Sequence, residues 1–257
     1  MDEPQSTIIE VTASVTADEA WRALRDPAVL ADWFGWDADT LAAEIQYIFF
    51  DHAREDAAAR VLRFEGMPDR FEVEPRGDGA AIRLVRSGST RSEEDWGAVY
   101  DDMITGWITF VRQLAFSLNH GRRGRRTLYL SGMAADATAL VPSRALGLDG
   151  LRAGAPGDRC DLAGPGERLT GRLEFVTALQ TGLSVDGWGG GLLVLTDRPH
   201  GAGGLAEPGG YAVLTTYGLD DGAFADLERR WTAWWSERYP DDRPHHMEPH
   251  SPYGGQG

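Results

Sequence analysis

The stretch WGAVYDDMITGWITFVRQL, residues 96–114, decides the fold. With its flanks, residues 93–119, it sets Trp96, Tyr100, Met103, Ile104, Trp107, Ile108, Val111, Leu114 and Leu118 at helical spacing. These form one wide apolar stripe over about seven turns, and Gly121 follows where a left-handed cap is cheap. A helix of that length with such a stripe must lie across another layer.

The layer is available upstream. Within residues 41–89, residues 43–50 are an apolar run, Leu62 and Phe64 alternate with Arg63 and Glu65, and Phe71 and Val73 alternate with Glu72 and Glu74. A turn at Arg76-Gly77-Asp78-Gly79 leads into Ile82 and Leu84, which flank Arg83. Short segments with one apolar face each predict an antiparallel sheet. Residues 51–59 read either way, because their alanines equally suit a helical insertion. Earlier still, Ile9, Val11, Ala13 and Val15 alternate with Glu10, Thr12 and Ser14, predicting a first strand. Thr16 and Glu19 then form a capping box ahead of Ala20, Trp21 and Leu24. Asp26-Pro27 starts a second short helix carrying Val29, Leu30, Trp33 and Phe34, which ends at Gly35.

This order of a strand, two short helices, several antiparallel strands and a long helix resembles the SRPBCC (START-like) superfamily. Within it, the chain resembles the group named after the activator-of-heat-shock-protein-ATPase homologue. VTADEAWRALRDPAVLADWFG (residues 15–35), FEVEPRGDGAAIRLVRSGS (residues 71–89) and the opening stretch carry the likeness. The resemblance implies an α+β helix-grip fold, a curved antiparallel sheet wrapped on a long C-terminal helix, with a cavity between them. By that implication Trp33, Phe34, Tyr47, Phe49, Phe64, Phe71, Trp107 and Phe110 are the expected ligand-binding lining. Taken singly, each is first of all a core aromatic.

After residue 120 the same order returns in weaker form. Residues 127–131 read as a strand, AADATALVPSRAL (residues 134–146) stands where two small helices belong, and residues 173–179, 192–196 and 211–217 are strand-like. A final helix over 221–239 carries Phe224, Leu227, Trp231, Trp234 and Trp235. The expected organisation is therefore a helix-grip domain at 1–120, an Arg/Gly linker at 121–126, a diverged tandem copy at 127–240 and an unstructured tail at 241–257. In the second copy no capping Glu follows Asp136, and Ala139 stands where the first has Trp21. The Gly-rich stretches 187–191 and 201–210 have no counterpart in the first. One domain with a long irregular extension is the other organisation the sequence permits.

The charge is −15 and all 25 basic residues are Arg, a balance that argues against general nucleic-acid binding. The cluster Arg122, Arg123, Arg125 and Arg126 reads as a solvated linker. Hydrophobic residues are 42% of the chain, enough for a core without disulfides. Cys160 has no partner in the chain, and Arg159 is its only basic neighbour. No apolar run has the length of a membrane span, and the polar start lacks the pattern of a signal peptide. A cytoplasmic location is expected.

No phosphate loop, His-Glu zinc pattern or paired-Cys site is present, so neither a cofactor nor a metal is expected. His52, His120 and His200 fall at element ends or in a loop, and His245, His246 and His250 fall in the tail. Glu93, Glu94 and Asp95 offset a helix dipole. Among the carboxylates, Asp32 and Asp101 are candidates to reach a cavity. The leading functional expectation is non-catalytic binding of a small hydrophobic or aromatic molecule. The alternatives are a cyclase- or dehydratase-type enzyme acting on a cavity-bound substrate, and a chaperone- or stress-related interaction module, the latter implied only by the group's name.

Overall fold

In the computed structural model, residues 5–87, 97–201 and 207–240 are described, with the backbone alone for 97–103. The chain divides between Arg123 and Gly124 into two compact units. The first runs β1 (Gln5–Ala13), α1 (Ala17–Ala23), α2 (Pro27–Leu30), α3 (Leu41–Gln46), a π-helical turn (Tyr47–Asp51), β2 (Ala53–Asp56), β3 (Val61–Phe64), β4 (Asp69–Arg76), β5 (Gly79–Ser87) and α4 (Gly97–His120). Its antiparallel sheet has the order β1-β5-β4-β3-β2.

Local signals set the boundaries. Thr16 accepts from the Glu19 amide while Glu19 accepts from the Thr16 amide, so these two donors at the start of α1 are satisfied. Asp26 accepts from the Ala28 amide at 2.9 Å and starts α2. Gly35 takes a φ of 64°, the left-handed conformation that favours glycine. At the far end of α4, Asn119 accepts from the Ser14 amide at 2.7 Å and donates to the Thr12 carbonyl at 3.3 Å. These bonds fasten the long helix to the end of β1.

The second unit runs β6 (Arg125–Met133), α5 (Pro142–Ala145), β7 (Arg159–Gly164), β8 (Glu167–Val176), β9 (Gln180–Val185), a 3-10 turn (Asp186–Trp188), β10 (Gly191–Arg198), β11 (Gly209–Tyr217) and α6 (Asp221–Arg238). Its sheet order is β6-β11-β10-β9-β8-β7. In both units the first strand pairs with the last and a long helix closes the chain. The architecture is α+β helix-grip, in two tandem copies.

Several expectations are corrected. Residues 43–50 are helical, because Ala42, Ala43, Glu44 and Gln46 are good helix formers. The two fully buried residues of the run, Ile45 and Phe49, are four apart and share one helical face. The stretch 51–59, which the sequence left open, finishes the π-helical turn at Asp51 and then forms the short edge strand β2 and its turn. The linker expected at 121–126 is shorter, since Arg125 and Arg126 open β6 and Arg125 is buried. Only α5 forms where two small helices were expected, and 173–179 is the end of a longer β8 that stops at Val176.

Strands β7 and β9 were not foreseen. In β9, Gly182 leaves room for the Phe175 ring of β8; a Cβ there would sit 2.2 Å from a ring carbon. The tail 241–257, Trp96, the acidic run 93–95 and the side chains of Tyr100, Asp101 and Met103 lie outside the described residues. Among the described residues no helix is long and apolar enough to cross a membrane.

Candidate functional site

The first unit brings together rings from five separate segments. Trp33 and Phe34 follow α2, Phe49 comes from the π-helical turn, Phe64 from β3, Phe71 from β4, and Trp107 and Phe110 from α4; all are buried. Trp33 lies 5.8 Å from Phe49 and 6.3 Å from Phe71, centroid to centroid. Phe34 lies 5.0 Å from both Phe49 and Phe110. Trp107 completes the cluster at 5.5 Å from Phe64 and 5.7 Å from Phe71. Many of these pairs are edge-to-face, the arrangement that ring quadrupoles favour. The Trp33 indole donates to the Ala23 carbonyl at 2.9 Å, which fixes the segment after α2 against α1.

Seven of the eight expected lining residues are thus neighbours. Tyr47 is half-buried, and its ring lies 4.0 Å from that of His52 at a tilt of 48°. Trp36, which the sequence did not single out, sits 6.1 Å from Phe110 at one end of the cluster.

A polar pair adjoins the rings. The β4–β5 register sets Asp69 opposite Arg86, two residues along from Phe71 opposite Leu84. Strand alternation therefore puts both on the face that carries Phe71. Arg86 donates from Nε and Nη2 to the two Asp69 oxygens, each at 2.6 Å. The side chains are 6% and 1% exposed. This bidentate fork is the strong form of the interaction, in a setting where desolvating each ion costs several kcal/mol. On the opposite face Arg70 holds Glu72 and Gln5, each at 2.7 Å, and ties β4 to β1.

The other candidates are engaged elsewhere. Asp32 pairs with Arg123 at 3.1 Å. His52 is 3.9 Å from Glu65, whose other oxygen accepts from Arg54 at 2.6 Å. His120 and His200 are exposed. A cleft of about 150 Å³ opens between α1 and the end of α4, lined by Val15, Arg22, Val29 and Leu118 among others. None of the eight expected residues borders it.

In the second unit the polar groups hold elements together. Glu167 accepts from the Trp231 indole at 2.9 Å, the Trp188 indole at 3.1 Å and Arg230 at 3.2 Å. Asp197 accepts from the Ser143 amide at 2.9 Å, from the Ser143 hydroxyl and from Arg152 at 2.8 Å. Arg152 also donates to the carbonyls of Thr177 at 3.1 Å and Ala178 at 2.7 Å. Tyr239 donates to the Leu140 carbonyl at 2.7 Å, and burial, reinforced by the Asp197 charge, pushes its phenol pKa well up. Burial likewise raises the Cys160 thiol, so it is not an activated nucleophile.

No family profile matches the chain, and no curated protein does. Among solved structures it is similar to DynU16, a protein of the dynemicin biosynthetic locus, at 16% identity over 92% of this chain and 96% of that one, with a TM-score of 0.31. It is similar to BexL, a di-domain ARO/CYC of the BE-7585A biosynthetic pathway, at 11% identity over 93% and 99%, TM-score 0.30. The di-domain ARO/CYC StfQ of the steffimycin pathway gives 10% identity over 90% of each chain, TM-score 0.31. Likenesses this distant fix neither a ligand nor an activity.

Proposed function

We propose that the first unit binds a small aromatic or apolar molecule against the ring cluster between its sheet and α4. The supporting observation is the convergence of seven buried rings from five segments on one face of the sheet. A planar guest gains the same edge and face contacts that the rings make with one another, in the mostly apolar surroundings typical of small-molecule sites. The Trp33 and Trp107 indoles report on such a guest directly. Native mass spectrometry and tryptophan quenching of the full chain with naphthalene-sized probes test the reading. One guest per chain is expected, with binding weakened at least tenfold by Trp107→Ala. Absence of any bound probe up to its solubility overturns it.

A second reading, turnover of a bound substrate, is favoured by the Asp69–Arg86 pair beside the rings, because a carboxylate and a guanidinium can together accept a proton and polarise a carbonyl. It requires product formation that Asp69→Asn abolishes while guest binding survives.

A further inference from the structure

Asp69 and Arg86 raise a question that packing does not answer. A buried ion pair is weak evidence for stability, because well-packed apolar side chains of similar volume serve a fold equally well or better. This pair nevertheless occupies the face of the sheet that carries the aromatic cluster, two register positions beyond Phe71 and Leu84. On the assumption that the first unit binds a guest as proposed above, we infer that Asp69 and Arg86 are its polar anchor and select a neutral hydroxylated aromatic, the phenol class.

The chemistry of the two groups sets this choice. An ionised carboxylate only accepts hydrogen bonds and a guanidinium only donates them. The two Arg86 bonds occupy one lone-pair direction on each Asp69 oxygen, and a carboxylate has about four. A hydroxyl is both donor and acceptor, so one oxygen can give its hydrogen to Asp69 and accept from Arg86 without parting them.

An arene without oxygen gains only the rings. A carboxylate-bearing arene competes with Asp69 for the same guanidinium and brings a second negative charge beside a nearly inaccessible one, which opposes ionisation of both. A cationic guest meets the guanidinium. The site therefore ranks hydroxyl above hydrogen, and hydrogen at or above carboxylate.

Calorimetric titration of the full chain with naphthalene, 2-naphthol and 2-naphthoate at neutral pH tests this. The naphthol is expected to bind about tenfold to a hundredfold tighter than naphthalene, the worth of a hydrogen bond to a charged group, and the naphthoate no tighter than naphthalene. In the double variant Asp69→Leu with Arg86→Met, the ratio of naphthol to naphthalene affinity is expected to fall below threefold. Equal affinity for all three probes, naphthoate binding as tightly as naphthol, or a naphthol advantage that survives the double substitution each overturns the inference and leaves the binding function standing. Binding of none of the three removes the binding function and this inference with it. Circular dichroism establishes whether the double variant folds; if it does not, the ranking on the unaltered protein decides alone.

Discussion

The two units share a strand order and a closing helix, yet they fill the space between helix and sheet differently. In the first, rings arrive from the sheet, the short helical segments and α4, and a buried ion pair lies on the same face. In the second, the inner face of the sheet is aliphatic, with Leu128, Leu130, Leu183, Leu193, Leu195 and Leu214, and the large aromatics arrive from α6 and the turn at Trp188. Each unit also has an Asp–Arg pair. Asp69–Arg86 is embedded in the sheet, whereas Asp197–Arg152 sits at the end of one, with the Arg152 side chain 26% exposed. Both Asp197 oxygens and both terminal nitrogens of Arg152 are used to hold α5 and a neighbouring turn. The comparison separates groups that a fold needs from groups that it carries at a cost.

That separation can be broken by substitution. Asp69→Ala should be the most damaging change, costing about 3–5 kcal/mol, because Arg86 is left as a buried charge without its counter-ion. Glu167→Ala comes next, at about 2–3 kcal/mol, since two indole N–H groups lose their acceptor. Asp197→Ala should cost about 1–2 kcal/mol: Arg152 can turn to water, but the Ser143 donors are stranded. Urea unfolding of the full chain, followed by far-UV circular dichroism and tryptophan fluorescence, measures all three. A cost for Asp197→Ala equal to that for Asp69→Ala would erase the distinction between the pairs.

The smallest effect concerns alkaline pH. Cys160 and Tyr239 both lie in the second unit, and both have pKa values raised by burial. Their neutral forms are the folded ones, so their contribution is complete below the unfolded values, about 8.5 for Cys and 10 for Tyr, and is lost as pH rises above them. The chain has no Lys, and Arg stays charged throughout this range. The melting temperature should therefore fall progressively from about pH 8 to 11. Cys160→Ala combined with Tyr239→Phe should flatten the decline. A decline of unchanged slope in that variant would assign it to other groups.

Much of the architecture was legible because it is written locally. The capping box at Thr16 and Glu19, the Asp26-Pro27 start and the period-two alternation around Phe71 each specify an element from adjacent residues. The run 43–50 misled because a short apolar stretch has no period that tells strand from helix; the four-residue spacing of Ile45 and Phe49 was the better signal. The ring cluster was reachable because the fold resemblance ranked the aromatics as a set. Asp69 and Arg86 were not reachable: they lie 17 residues apart, among other charged residues on their strands, and meet only through the β4–β5 register. Strands β7 and β9 were hidden by their glycines, aspartate and small polar residues, which weaken a strand pattern that neighbouring strands then rescue.

The capping of α5 has a consequence for the order of events during synthesis. The helix is four residues long, far below the length that is stable alone, and its N-cap residue, Val141, has no side chain able to cap it. The acceptor for the Ser143 amide is supplied by Asp197, 54 positions later. The loop that contains α5 therefore has no address of its own when it leaves the ribosome. That acceptor is present only once β10 has been made and paired, so closure of α5 is expected late in assembly of the second unit.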